Sequence, residues 1–262
     1  MNKLGIIGGG NMGEAIIANS LKSFLVSVAE KDLSRQQYLQ KKYRLKSRDI
    51  KTLAQKSDIV VLAMKPQDID QVLGELKKYL SSEKLIVSIA AGITTKYIEK
   101  KLKPKTRVLR TMPNMPAMVA KGITAICQGK HAGTADVKSA RNIFNNLGLT
   151  VVVKEDLIDA ITAVSGSGPA YVFLFMEYLM KAARSLGLNE ALARELVIET
   201  FSGSVHLLKE KKLDPAVLRV KVTSKGGTTQ AAMDVFAEKH LEQIIESALS
   251  AAKNRAKELA KV

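Results

Sequence analysis

The N-terminal segment constrains the fold of this chain more than any other part of the sequence. The apolar run Leu4–Ile7 leads directly into the pattern Gly8-x-Gly10-x-x-Gly13, and a helical segment, Glu14–Lys22, follows without a gap. A strand, a glycine turn and a helix in this order predict a dinucleotide site, because Gly10 lets the backbone approach a pyrophosphate and the helix start supplies free N–H groups. The alternative is a glycine-rich turn in another α/β fold.

Short apolar runs alternate with helical segments over the first 157 residues. The predicted strands are Leu4–Ile7, Leu25–Ala29, Ile59–Leu62, Leu85–Ser88, Val108–Thr111 and Thr124–Cys127, with Val151–Val153 as a further candidate. The predicted helices are Glu14–Lys22, Ser34–Tyr43, Lys51–Gln55, Gln67–Tyr79, Lys96–Lys100 and Ala135–Asn146. This alternation predicts an α/β domain with a doubly wound parallel sheet.

The pattern changes after residue 157, where strand signals stop. Helices are predicted from about Pro169 to Leu186, from Glu190 to Lys211 and from about Leu241 to Ala260, with others beginning near Pro215 and Thr228. We therefore expect a dinucleotide-binding domain over residues 1–157 and an all-α domain over residues 158–262. The segment Ala170–Met180 is apolar on nearly every side, which favours a subunit interface over a core formed within one chain.

The chain is strongly basic, with 41 Lys and Arg against 25 Asp and Glu and a formal net charge of +16. The basic residues are dispersed, and no stripe of arginine and aromatic residues accompanies them. We interpret them as a solvated surface that attracts anions, so we expect no nucleic-acid partner. The three histidines are isolated and no metal-ligand spacing occurs, so we also expect no bound metal.

The sequence gives no indication of secretion or of a membrane location. The N-terminus enters a strand almost at once, unlike a signal peptide, and we expect no apolar run to approach the roughly 18–20 residues of a membrane span. Cys127 is the single cysteine, so an internal disulfide is impossible. We expect a cytoplasmic protein.

Three further motifs follow predicted strands, at the carboxyl ends where open α/β sheets bind their ligands. They are Ala63–Pro66, Ser88–Gly92 and Arg110–Pro116. We expect Lys65 to approach a phosphate, the small residues before Gly92 to leave room for a flat ring, and the proline-rich loop to border the nicotinamide. Each motif could also be an ordinary turn at the end of a strand.

Two glycine loops, Ser165–Tyr171 and Thr223–Thr229, lead into predicted helices of the second domain. Either loop could bind a carboxylate through the free N–H groups of the helix start, or could serve only as a helix cap. The cofactor type stays open. Glu30 has the spacing of the acidic residue that binds the ribose 2′-hydroxyl of NAD, but Lys31 and Arg35 could accept a 2′-phosphate.

Together these motifs resemble the pyrroline-5-carboxylate reductases over essentially the whole chain. The resemblance rests on the segments Gly8–Gly13, Ala63–Pro66, Ser88–Gly92, Arg110–Asn114, Ser165–Tyr171 and Thr223–Thr229. It implies an N-terminal Rossmann domain and a C-terminal helical domain that forms a homodimer, with dimers assembling to decamers. The implied reaction is the reduction of L-1-pyrroline-5-carboxylate to L-proline by NADPH or NADH, the last step of proline biosynthesis.

The resemblance also implies roles for individual residues. Together with Glu30, the residues expected to contact the cofactor are Ile7, Gly8, Gly9, Gly10, Asn11, Met12, Ala63, Met64, Lys65, Pro66, Ile89, Ala90 and Ala91. Those expected to hold the substrate are Glu155, Ser224, Gly227, Thr228 and Thr229. The protonated cyclic imine is already electrophilic, so the enzyme needs chiefly to position it. Thr229 is the predicted catalytic residue, with its hydroxyl bonded to the ring nitrogen.

The chain departs from the family pattern in two segments. Lys225 stands where the family loop has proline, and Glu30-Lys31 replaces the small or basic residues of members that prefer NADP. One competing function is a β-hydroxy-acid dehydrogenase, but Lys181 lies too far along its helix to be that enzyme's catalytic lysine. The other is a nucleotide-sensing or nucleic-acid-binding protein, against which the intact loop Thr223–Thr229 argues.

Overall fold

One eight-stranded sheet organises the N-terminal part of the molecule, and the computed structural model describes residues 1–259 of the chain. The strands are β1 Lys3–Ile7, β2 Leu25–Ala29, β3 Lys46–Ser47, β4 Ile59–Leu62, β5 Leu85–Ser88, β6 Arg107–Met112, β7 Gly122–Gln128 and β8 Gly148–Val152. The helices are α1 Asn11–Ser20, α2 Leu33–Tyr43, α3 Ile50–Lys56, α4 Ile69–Tyr79, α5 Thr95–Lys101, α6 Thr134–Phe144 and α7 Ile158–Ile161. The predicted alternation of strands and helices is confirmed.

The strand order is β3-β2-β1-β4-β5-β6-β7-β8, so the sheet is doubly wound with its reversal between β1 and β4. Neighbouring strands are parallel except for β6 and β7, which run antiparallel. The predicted doubly wound parallel sheet is confirmed, and it contains this antiparallel pair. The segment 113–121 holds only a short 3-10 turn, and a parallel return needs a crossover of a dozen or more residues.

Two apolar cores cover the two faces of the sheet. Successive side chains of a strand point to opposite faces, and Ile6 accordingly packs in one core while Ile7 packs in the other. Helices α1 and α6 contribute to the first core, and α3, α4 and α5 contribute to the second. Burial on both faces explains why β4 reads Ile-Val-Val-Leu without alternation.

The C-terminal part is helical, as predicted. Its helices are α8 Gly168–Ser185, α9 Glu190–Lys211, α10 Pro215–Lys221, α11 Thr228–Glu238 and α12 Leu241–Leu259. Asn189 and Asp214 cap α9 and α10 through side-chain hydrogen bonds to backbone N–H groups. The predicted end of the last helix at Ala260 lies outside the described residues.

The chain forms two compact units. The first comprises Met1–Pro169 and the residues from Ala251 onwards, and the second comprises Ala170–Ser250. Helix α7 belongs to the first unit because Ile158 is fully buried with Ala125 and Cys127 of the sheet. The limits 1–157 and 158–262, which concern functional domains, stay a prediction.

Candidate active site

The glycine turn between β1 and α1 lies at the point where the strand order reverses. Gly8 has φ +99°, and a Cβ at Gly8 would lie 2.5 Å from the carbonyl oxygen of Ala63 at the end of β4. A Cβ at Gly13 would collide with the carbonyl oxygen of Gly8, but a Cβ at Gly10 would meet nothing within 4 Å. Two glycines are therefore needed for close packing, whereas Gly10 borders open space that a ligand can enter.

The start of α1 is available to an anion. Gly10 is its N-cap and offers no side chain to the first N–H groups of the helix. An α-helix leaves its first four N–H groups without intrahelical partners, and its dipole favours negative charge there. Free N–H groups beside the open space at Gly10 make a cradle that fits a pyrophosphate.

A cleft of about 780 Å³ opens beside this cradle. Seven of the predicted cofactor residues line it: Ile7, Gly8, Gly10, Glu30, Ala63, Met64 and Lys65. They come from the carboxyl ends of β1, β2 and β4, where a doubly wound sheet binds ligands. The structure thus brings together three motifs that are separated in sequence.

The other seven predicted cofactor residues are not among those that line the cleft. They are Gly9, Asn11, Met12, Pro66, Ile89, Ala90 and Ala91. Asn11 borders a smaller cavity on the other side of Glu30. Ile89–Ala91 form the turn after β5, where the Ala90 N–H donates to the Ser88 hydroxyl (3.2 Å) and the Ile89 N–H donates to the Leu62 carbonyl.

Glu30 at the end of β2 is held by the backbone on both sides. Its Oε2 accepts a hydrogen bond from the Gly9 N–H at 2.6 Å, and its Oε1 accepts one from the Asp32 N–H at 2.9 Å. The two cations that could bind a 2′-phosphate both have acidic partners. Lys31 Nζ lies 2.9 Å from Asp68, and Arg35 donates to Glu14 and to the Gly9 carbonyl oxygen.

Glu14, in the first turn of α1, binds side chains of α2. Burial opposes its ionisation, but hydrogen bonds from Lys42, Tyr43 and Arg35 outweigh that effect and lower the pKa of Glu14 to about 2. The carboxylate therefore stays charged at neutral pH. It fixes α2 against the start of α1 and draws Arg35 towards itself.

Sequence reasoning missed one wall of the cleft. This wall lies at the end of the short strand β3 and consists of Ser47, Arg48, Asp49 and Ile50. A strand of two residues is too short to show an alternating pattern. The signal that was present is Asp49, which accepts from the Thr52 N–H (2.6 Å) and caps α3, so a turn could have been predicted there.

Glu155 belongs to a polar network of the first unit. It accepts hydrogen bonds from the N–H (2.7 Å) and hydroxyl (2.6 Å) of Thr95, and Arg110 lies 3.5 Å away. Sequence reasoning did not predict this network, because Thr95 and Glu155 are 60 residues apart. Its role in the substrate site stays a prediction.

The loop Thr223–Thr229 lies in the second unit and ends at the start of α11. Gly226 has φ +72°, and Gly227 is the N-cap of α11 without a side-chain cap. The Gly227 N–H donates to the Ser224 carbonyl oxygen at 3.0 Å, which closes the turn. The arrangement leaves a helix N-terminus with no acidic residue in its first turn, and such a terminus suits a carboxylate.

Models of known protein families match both parts of the chain. A family model of pyrroline-5-carboxylate reductase dimerisation matches residues 155–259, and one of coenzyme F420-dependent NADP oxidoreductases matches residues 3–92. Pyrroline-5-carboxylate reductase of Synechocystis sp. is 40% identical to the chain over 99% of the chain and 98% of its own length. The chain belongs to the pyrroline-5-carboxylate reductase family.

Solved structures of pyrroline-5-carboxylate reductases have the same fold along the whole chain. That from Coxiella burnetii has 37% identity and a TM-score of 0.90, with 100% of this chain and 99% of that one covered. The Plasmodium falciparum enzyme, solved with NADP bound, has 31% identity and a TM-score of 0.88, with coverage of 99% and 98%.

One helical stretch, Glu155–Ser185, is long and apolar enough to cross a membrane by length and composition. The expectation that no apolar run approaches that length is wrong here, because a π turn over Thr162–Gly166 leads from α7 towards α8 where the sequence predicts a glycine loop. Little of the stretch is buried within the described chain, and Phe173 is 56% exposed. The matched dimerisation domain of pyrroline-5-carboxylate reductases accounts for such an apolar surface.

Proposed function

We propose that this chain reduces L-1-pyrroline-5-carboxylate to L-proline with NADPH or NADH, the last step of proline biosynthesis. The observation that carries the proposal is the open cradle at Gly10, in a chain 40% identical over its length to a pyrroline-5-carboxylate reductase. The chemistry of the substrate agrees with the side chains available in the two glycine-rich sites.

The cofactor would lie along the carboxyl ends of the strands. The N–H groups at the start of α1 hold the pyrophosphate, and Ala63–Pro66 and Ile89–Ala91 contact the rest of the molecule. The family match to NADP oxidoreductases over residues 3–92 supports this assignment. When bound, the reduced nicotinamide supplies the hydride.

The substrate carboxylate would bind at the start of α11. Backbone N–H groups of Gly227, Thr228 and Thr229 suit a carboxylate, and the Ser224 hydroxyl adds a donor. The Thr229 hydroxyl bonds the ring nitrogen and helps to keep it protonated. Glu155 is included as an acidic residue near the substrate, on the resemblance to the family.

This chemistry needs no strong acid or metal ligand set from the protein. The protonated imine is already electrophilic, so holding it in the reactive orientation supplies much of the rate. Among the described residues, no group of three or more His, Cys, Asp or Glu could hold a metal ion.

The assembly and location form part of the same proposal. The apolar face of α8 would bind a second copy of the chain, and the dimers would assemble to a decamer. The match of residues 155–259 to a dimerisation domain supports the dimer. We propose a cytoplasmic enzyme without a membrane or nucleic-acid partner.

Initial rates of pyrroline-5-carboxylate reduction with each cofactor test the function. Thr229→Ala should lower kcat/KM at least tenfold while nucleotide binding is retained, because only the substrate site loses a hydrogen-bonding group. Thr134→Ala, which removes an exposed threonine at the start of α6, is the matched control and should keep the wild-type rate. Folded protein that binds nucleotide but shows no turnover with either cofactor would contradict the proposal.

A further inference from the structure

The clearest unassigned property of the cofactor site is how it treats the 2′-position of the adenosine ribose. In sheets of this type, the residue at the end of the second strand contacts the ribose 2′-hydroxyl, or a basic residue nearby accepts the 2′-phosphate. Here that position is Glu30, which lines the cleft and also borders the adjoining smaller cavity.

The Glu30 carboxylate cannot easily turn away from an incoming phosphate. Each of its oxygens accepts one backbone N–H, from Gly9 at 2.6 Å and from Asp32 at 2.9 Å. Hydrogen bonds to a charged group are stronger than those between neutral groups. Removing the carboxylate from this place would break both bonds, so its negative charge is fixed at the cleft wall.

The nearest cations are already committed to carboxylates. Lys31 contacts both oxygens of Asp68, at 2.9 and 3.0 Å. Arg35 donates from Nε to the Gly9 carbonyl oxygen at 2.6 Å and from Nη2 to Glu14. Neither side chain could accept a 2′-phosphate without giving up an ion pair.

The charges around the cleft favour a ligand with less negative charge. Its lining carries three cations, Lys31, Arg48 and Lys65, and four carboxylates, Glu30, Asp49, Asp68 and Glu75. This local excess of acid contrasts with the net charge of +16 of the whole chain. The smaller cavity is lined by Glu30 and a further acid, Asp32, together with Arg35, which is paired with Glu14.

We infer that this reductase is selective for NADH over NADPH, and that Glu30 is the residue that sets the preference. The inference rests on the proposed function and specifies its cofactor. Glu30 accepts the ribose hydroxyl of NADH, whereas a 2′-phosphate at the same place meets a fixed like charge. Arg48 and Lys65 are the cations that would support the opposite preference.

Nucleotide binding without substrate tests the inference, through the fluorescence change of NADH or NADPH on addition of protein. The wild type should bind NADH at least tenfold more tightly than NADPH. Glu30→Gln keeps the size of the side chain, removes its charge and leaves one of the two backbone N–H groups without its acceptor, and should shift the ratio at least fivefold towards NADPH. Glu83→Gln removes an exposed carboxylate on the loop before β5 and should leave the ratio unchanged.

Equal or tighter binding of NADPH by the wild type would overturn the inference, even if Glu30→Gln failed to fold. A Glu30→Gln variant in which the dissociation constants of NADH and NADPH change by the same factor would also overturn it. So would a wild-type preference for NADPH that the Arg48→Gln substitution abolishes. Binding of NADH without turnover of pyrroline-5-carboxylate would instead contradict the proposed function and leave this inference intact.

Discussion

The guanidinium of Arg110, in the interior of β6, is almost fully buried, with its Nη1 3.5 Å from Glu155 Oε1. Its Nη2 lies 3.3 Å from Asp159, so one buried cation faces two carboxylates of the segment that follows β8. Both carboxylates are partly exposed to solvent. The arginine therefore ties the sheet to the segment that leads into the helical part of the chain.

Removing this cation should destabilise the protein. We expect Arg110→Ala to lower the free energy of unfolding by about 3 kcal/mol, because two carboxylates lose their partner and a cavity remains. Urea denaturation followed by circular dichroism measures the change. Arg141→Ala, on the exposed side of α6, should change stability by no more than about 0.5 kcal/mol. Equal effects of the two substitutions would show that the buried network contributes nothing.

Acid should weaken the contact between α1 and α2. The pKa of Glu14 is lowered to about 2 in the folded chain, against roughly 4.3 for a free glutamate. A lowered carboxyl pKa contributes stability above the unfolded pKa and loses it as the pH falls towards the folded pKa, here between about 4.5 and 2.

The contribution amounts to at most about 3 kcal/mol at pH 7. Glu14→Gln should therefore be less stable than the wild type at pH 7, and the difference should shrink as the pH falls from 4.5 to 3. Denaturant titrations at pH 7, 4.5 and 3 measure it. A difference that stays constant over this range would exclude Glu14 as the titrating group.

Substitution of Gly10 should weaken nucleotide binding without destabilising the fold. A Cβ at Gly10 meets nothing within 4 Å, so Gly10→Ala should keep the thermal unfolding midpoint but weaken nucleotide binding at least tenfold by occupying the space of the pyrophosphate. Gly74→Ala in α4 has the same freedom outside the cleft and should bind nucleotide normally. Unchanged binding by Gly10→Ala would place the pyrophosphate elsewhere.

The thiol of Cys127 should not react with alkylating reagents in the folded protein. Burial raises the pKa of its thiol to about 12, and the nearby charge of Glu155 adds to the effect. Because the thiolate is the reactive form, iodoacetamide at pH 8 should leave native protein unmodified and alkylate it fully in denaturant. Mass spectrometry detects the adduct, and rapid modification of the native protein would contradict the burial seen here.

The elements that sequence could predict are those with a local signal. Short apolar runs predicted β2, β4 and β5 with their observed limits, and the capping residue Asn189 predicted the start of α9. The antiparallel return at β7 and the short strand β3 could not be predicted in the same way. The first depends on the length of a connection, and the second on pairing with β2.

The same division holds for the candidate site. The glycine motif and the strand ends were predictable because each residue acts through its own backbone. Whether Lys31 or Arg35 is available to a phosphate depends on partners at Asp68 and Glu14, 37 and 21 residues away in sequence. Long-range pairing of this kind leaves no periodic trace in one sequence.

The end of α12 has a consequence for synthesis of the chain. Gly92, at φ +78°, leaves room for Leu259, whose backbone would lie 2.8 Å from a Cβ at that position. The turn after β5 is therefore covered by residues that are synthesised long after it. The sheet can form while translation continues, but the packing around Gly92 is completed only when α12 has been made, so a nascent chain stalled before residue 251 should expose this turn to protease.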